Sequence, residues 1–242
     1  MEIISLGDSA LVVRLRERFD DAPEETLEEV LRTLRRIKDA AIPGVIELAP
    51  AYTSVAVFFD PVAIVKAGGT AEELLAWLAT RIRAALTTPT GEGRFLPEHS
   101  RRVEIPICYD PEFAPDLEEV ARHARISPKA VADLHSAAEY RVACLGFVPG
   151  FPFLAGLPKQ LATPRRSAPR KNVPAGSVGI GGAQTGIYPL RSPGGWNLIG
   201  RTPLQLFDPA KDPPTLLRAG DCVRFRAITR DEFDAAVEAA IR

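Results

Sequence analysis

Side chains that could move protons or hold anions crowd one stretch of the chain, from His135 to Pro209. His135 follows Val131 by four residues on a helical stretch, so its ring points to the apolar side. A neutral imidazole there could shuttle a proton or orient a phosphate, with Glu139 one turn further on as its orienting carboxylate. A core or capping histidine with a satisfied hydrogen bond is the competing reading. Arg141, Arg165, Arg166, Arg170, Lys171, Arg191 and Arg201 add cations to the same region, and guanidinium forks suit carboxylate and phosphate. Arg141, Arg170 and Arg191 are the expected anion contacts, the last two because nearby prolines and glycines restrict their backbones. The run Gly176–Gly182 is glycine-rich but ends in no Gly-Lys-Ser/Thr, and Gln184 stands where GxGxxG needs its last glycine, so no phosphate loop is present. Gly179 and Gly181 instead permit close backbone approach, with amides free to cradle an anion. Ser192 lacks the GxSxG elbow of a nucleophile and reads as a hydrogen-bonding turn residue. His99, His123 and His135 have no metal-ligand spacing with Cys or acids, so no metal site is expected.

The composition narrows the classes. Thirty basic and 31 acidic residues among 242 give a net charge of -1, so no global field draws the chain to nucleic acid or an anionic membrane. Three scattered cysteines fit neither a disulfide framework nor a CxxC site. No secretory signal is visible, and Gly146, Pro149, Gly150, Pro152 and Gly156 interrupt the uncharged run 142–158 before it could span hydrocarbon. A soluble cytoplasmic protein is expected, with 46% apolar residues providing its cores.

The elements that must position these groups follow from periodicity. Ile3–Leu15 holds two short strands around Gly7-Asp8. Pro23–Ala40 is an amphipathic helix through Leu27, Val30, Leu31, Leu34 and Ile37, with acids early and bases late. Strands at Val45–Leu48 and Ser54–Phe59 precede a second helix opened at Thr70 by a capping box with Glu73. This order predicts a small sandwich with helices on one face of a sheet, over residues 1–87. Residues 88–102 lose periodicity and read as a linker. The strand Val103–Tyr109 could pair with the first sheet or begin a new one. Asp116 and Ser127-Pro128 cap two shorter helices ending near Ala138. From there to the terminal helix, opened by a Thr229/Glu232 capping box, short apolar runs punctuated by Gly and Pro predict a β-barrel or sandwich. The fold class is therefore α+β.

The run from Tyr109 to Pro209 resembles the family that includes the B component of 5-oxoprolinase, the first component of allophanate hydrolase and KipI-type proteins. The matching residues are Asp116–Val120, Leu134-His135-Ser136 with Glu139–Val142, Leu145-Gly146-Phe147, Pro149-Gly150-Phe151, Leu154 and Pro164–Gly200. Gly7–Leu11 and Pro43–Leu48 extend the resemblance to most of the chain.

The resemblance implies an N-terminal α/β domain (1–87) and a cyclophilin-like β-barrel domain (103–242). It implies one component of an ATP-dependent 5-oxoprolinase, which opens 5-oxoproline to glutamate with a KipA-type second barrel protein and a third hydrolase component of the LamB/YcsF type. Mg2+ would arrive with the nucleotide. On this reading His135, Glu139 and Arg141 are catalytic, and Arg170, Lys171, Gly179, Gly181, Arg191 and Ser192 bind substrate or nucleotide. Gln184, Thr185, Tyr188 and Trp196 offer the donors and flat faces that orient a small amide-containing ring. The bland reading of Tyr188 and Trp196 is that they fill the barrel. Two other activities are compatible with the resemblance: inhibition of a sensor histidine kinase, and half of a biotin-dependent carboxyltransferase.

Overall fold

A computed structural model describes residues 1–19, 21–87 and 101–241. The chain divides into two compact units, Met1–Glu98 and His99–Arg242. Residues 88–100 of the expected linker lie outside the described residues.

Unit 1 contains β1 (Glu2–Ser5), β2 (Ala10–Arg14), α1 (Pro23–Asp39), β3 (Val45–Ala51), β4 (Ser54–Phe59), α2 (Pro61–Lys66) and α3 (Leu74–Thr87). Its antiparallel sheet runs β1-β2-β4-β3. Alternation along the strands buries Leu11, Val13, Val55, Val57 and Phe59, which share one core with Val30, Ile37, Leu78 and Ile82 of the helices. Each such side chain contributes about 1.5–3 kcal/mol on burial. Some boundaries differ from the sequence reading: β3 runs on to Ala51, and a short helix not expected from the sequence starts at Asp60 and Pro61, where the Asp60 carboxylate accepts the Val62 N–H at 2.8 Å. Thr70 does receive the Glu73 N–H at 3.3 Å, but helical hydrogen bonding begins only at Leu74.

Unit 2 contains β5 (Arg102–Cys108), α4 (Leu117–Ala124), α5 (Pro128–Ala137), β6 (Glu139–Leu145), β7 (Pro152–Ala155), β8 (Arg170–Val173), β9 (Ser177–Gly181), β10 (Gln184–Ile187), β11 (Ser192–Gly194), β12 (Asn197–Arg201), β13 (Cys222–Ile228) and α6 (Arg230–Ile241). Seven strands close a barrel in the order β10-β7-β6-β13-β5-β12-β9, and β8 with β11 forms a separate two-stranded ribbon. β5 lies parallel to β13 from Arg102↔Cys222 to Cys108↔Ile228, so the strand after the expected linker belongs to the barrel and not to the first sheet. Inward residues such as Ile105, Ile107, Val142, Leu154, Val178, Ile180, Ile199, Val223 and Phe225 form one core with Leu117, Val120, Ala121 and Val131 of α4 and α5. Ser127 caps α5 as expected, accepting the Ala130 N–H at 3.2 Å. Among the described residues no helix is long and apolar enough to cross a membrane.

Candidate functional site

His135 lies on the buried side of α5 and is 0% exposed. Its Nδ1 is 2.8 Å from the Tyr109 hydroxyl and its Nε2 is 3.0 Å from Thr185 Oγ1. Thr185 gives its own hydrogen to the Gly179 carbonyl at 3.0 Å, so it must accept from His135. The imidazole is therefore the Nε2–H tautomer, and Nδ1 receives the Tyr109 O–H. The ring stacks on Phe225 with centroids 4.6 Å apart. Burial lowers its pKa to about 3, because a charged imidazolium has no water there.

This geometry corrects the expected catalytic group. Glu139 does not orient His135; it is an exposed residue of β6, opposite Arg224 of β13. Arg141 sits two residues on, opposite Ala155 and Cys222. The strand begins immediately after α5, and its pleat turns Glu139 and Arg141 away from the interior that Tyr140 and Val142 occupy. His135, Glu139 and Arg141 are thus not one constellation. A neutral imidazole satisfied on both nitrogens and closed to solvent holds the barrel core together.

The binding candidates fall into two groups. Thr185 belongs to the buried chain just described, while Gln184 begins the same strand, β10, partly exposed. The others gather around the β8–β11 ribbon. Beneath it Phe151, Val173, Tyr188, Trp196 and Leu198 form a satellite core. Tyr188 and Trp196 each meet Phe151 edge-on, with centroids 5.1 and 5.5 Å apart. They fill a core outside the barrel rather than its interior. Their neighbours explain the glycines. A Cβ on Gly181 would lie 2.5 Å from Trp196 Nε1, and one on Gly194 would collide with the Tyr188 hydroxyl. Gly179 likewise packs against Trp196, so both glycines admit an indole rather than an anion. Ser192 is buried on β11, while Lys171 and Arg191 are exposed.

Arg170 is already committed. Its terminal nitrogens bond both oxygens of Asp116 at 2.8 Å, Arg166 adds a third contact at 2.8 Å, and the Leu198 N–H donates to the same carboxylate at 2.7 Å. The sequence reading made Asp116 an N-cap, but its side chain caps nothing. Its carboxylate instead ties the start of α4 to β12 and the ribbon. No local signal in the sequence pairs Asp116 with residues 50 and 54 positions away.

Exposed groups remain around this cluster. Arg165 lies over Trp196 at 5.8 Å. Phe147, in the hairpin between β6 and β7, is 62% exposed at φ +66, a left-handed backbone uncommon for a bulky residue. It meets Phe151 and Tyr188 edge-on. Leu190 is also exposed. Between residues 140 and 207 the chain has no acid but carries Arg141, Lys159, Arg165, Arg166, Arg170, Lys171, Arg191 and Arg201, so this stretch is cationic even after Asp116 has paired with Arg166 and Arg170. The arrangement can bind an anionic group or an acidic surface. Among the described residues no cluster of His, Cys, Asp and Glu could hold a metal ion.

Comparison with known proteins adds a second line of evidence. Residues 1–217 match the family model described as the carboxyltransferase domain, subdomain C and D. The chain is 44% identical to the B component of the 5-oxoprolinase of Bacillus subtilis (strain 168), over 98% of this chain and 97% of that relative. Among solved structures, TTHA0988 is 37% identical with a TM-score of 0.73, over 90% of this chain and 40% of that longer one. The K. lactis urea amidolyase shares the fold at 21% identity and a TM-score of 0.72, over 98% of this chain and 15% of its own.

Proposed function

Because the chain belongs to the carboxyltransferase-domain family, subdomains C and D, we propose that it is the B-type component of an ATP-dependent 5-oxoprolinase, which opens 5-oxoproline to L-glutamate. The observation that carries this reading is the 44% identity to the B component of a bacterial 5-oxoprolinase over nearly the full length of both chains.

The chemistry asks for anion handling. A lactam is a resonance-stabilised amide and a poor electrophile, so transfer of a phosphoryl group from ATP to its oxygen supplies the activation. Lys171, Arg191 and Arg165 are exposed within the acid-free stretch 140–207 and suit the oxygens of the nucleotide's polyphosphate. Their positive potential stabilises charge developing on transferred oxygens. The buried imidazole takes no part, so proton transfer falls to a group from elsewhere in the assembly. Exposed Phe147 and Leu190 beside these cations give the wall an apolar centre for contact with a partner protein, the expected second barrel, with a third hydrolase component completing the complex. The test is reconstitution: the chain assembled with its partner proteins should convert 5-oxoproline, ATP and water to glutamate, ADP and inorganic phosphate, the phosphoryl group leaving as phosphate when the ring C–N bond is hydrolysed. An assembled complex that turns over no lactam would remove the reading.

A further inference from the structure

In unit 2 the buried side-chain polar atoms without a partner, among the described residues, are Arg141 Nε, Ser177 Oγ, Ser192 Oγ and Arg201 Nε. Ser177 and Arg201 are related to each other. They stand directly opposite in the β9–β12 register, so their side chains project from the same face of the barrel wall. Val178, next to Ser177 in sequence, points into the barrel core, which places Ser177 and its register partner Arg201 on the outer face. Ser177 is 1% exposed, and Arg201 is partly buried, with its Nε closed off although the side chain as a whole reaches the surface.

Arg201 makes no ion pair among the described residues, and the carboxylate whose charge reaches it, Glu112, is taken up by Arg230. The Arg201 guanidinium lies 4.6 Å over the Phe113 ring, with Arg230 4.5 Å from the same ring. The nearby carboxylate, Glu112, is bonded to Arg230 at 2.5 Å, and Asp234 holds Arg230 as well. Arg201 itself has no ion pair or hydrogen bond to any described side chain. Burial lowers its pKa from the ordinary guanidinium value. Gly176, at φ +80, brings the turn against the Arg201 stem, where a Cβ would lie 3.3 Å from Cγ and collide with the Thr202 carbonyl. The backbone thus fixes an arginine with no ion pair or side-chain hydrogen bond of its own, in register with a buried hydroxyl that has no partner among the described residues. Burying such groups unpaired is costly, and a bound ion is one of the few ways to relieve it.

We propose that Arg201 and Ser177 form a subsite for an oxyanion, a carboxylate or a phosphate. The Nε–H and one terminal N–H of the guanidinium take two oxygens side by side, and the Ser177 hydroxyl donates to one of them. The site does not depend on the 5-oxoprolinase reading. That reading names its two candidate occupants, the carboxylate of the lactam or a phosphate of the nucleotide.

The test is direct binding to the full chain, without turnover. The Arg201 Nε–H signal is identified in the 1H–15N spectrum by its loss in Arg201→Lys, and inorganic phosphate and 5-oxoproline are titrated separately at matched chloride. A saturable shift with either ligand supports the subsite, and the ligand that produces it names the oxyanion. Ser177→Ala should then weaken binding by about fivefold, the worth of one hydrogen bond. No shift with either ligand at about 10 mM, a concentration that fills any site of millimolar affinity, overturns the proposal. So does a Ser177→Ala variant that is folded by circular dichroism and binds as tightly as the wild type.

Discussion

Asp116 accepts both terminal nitrogens of Arg170, each at 2.8 Å, across 54 residues of sequence. The same carboxylate receives Arg166 and the Leu198 amide, so one buried side chain joins a helix start, a barrel strand and the ribbon over Tyr188 and Trp196. Asp116→Asn keeps the shape but removes the charge that both guanidiniums face. Breaking a buried pair costs about 3–5 kcal/mol, reduced here because Arg166 and Arg170 are partly solvated. A loss of about 2–4 kcal/mol in urea unfolding at neutral pH is expected. A midpoint unchanged from wild type would contradict this role for Asp116.

His135 predicts a pH dependence with a definite sign. Its folded pKa is about 3, against about 6.5 in an unfolded chain. Between these values the unfolded state binds the extra proton, so stability falls as pH drops. The contribution is complete above about pH 6.5 and amounts to roughly 4 kcal/mol lost by pH 3. His135→Gln, which retains a donor for Thr185 but carries no titrating group, should be less stable than wild type at pH 7. The gap should narrow steadily toward pH 4. Parallel stability curves for the two proteins would show that the imidazole is not held neutral by the fold.

Gly181→Ala places a methyl 2.5 Å from the Trp196 indole nitrogen. The ring must move off Phe151 or the strand must shift, at about 1–3 kcal/mol. In a Trp77→Phe background Trp196 is the sole tryptophan. Its emission should move to the red and its near-UV circular dichroism should weaken, with far-UV signal retained. Unaltered emission would mean that the indole does not rest on this glycine.

Phe147→Gly separates packing from contact with partners. Glycine accepts the φ of +66 freely, recovering about 1–2 kcal/mol of backbone strain while giving up the edge contacts of a ring that is mostly in water. Stability of the isolated chain should change by no more than about 1 kcal/mol. Assembly with the partner proteins should weaken by about tenfold or more in calorimetric titration, as for an aromatic anchor at an interface. Full assembly with equal affinity would take Phe147 out of the interface.

Much of the architecture was legible because it is written in local patterns. The 3.6-residue stripe of α1, the alternation of β2 and β4, and the caps at Ser127 and Thr229 each follow from neighbours a few positions apart. The Thr229/Glu232 box is reciprocal, with the Thr229 N–H donating at 2.7 Å and the Glu232 N–H at 3.3 Å. The density of Gly and Pro after Glu139 likewise marked a turn-rich β domain.

The chemistry of individual side chains was not local, and the tertiary structure decided it. Sequence put His135 and Glu139 one helical turn apart, but the helix stops at Ala137 and the strand pleat sends Glu139 outward. Arg170 looked like a free anion contact because Asp116 lies 54 positions away. Ser177 and Arg201 meet only because barrel closure sets β9 beside β12. Residue type and spacing determined which elements form and that the stretch from 140 to 207 would carry cations without acids. Which cations are neutralised, and which imidazole is shut from water, depended on long-range strand pairing and burial, and neither leaves a trace in a short window of sequence.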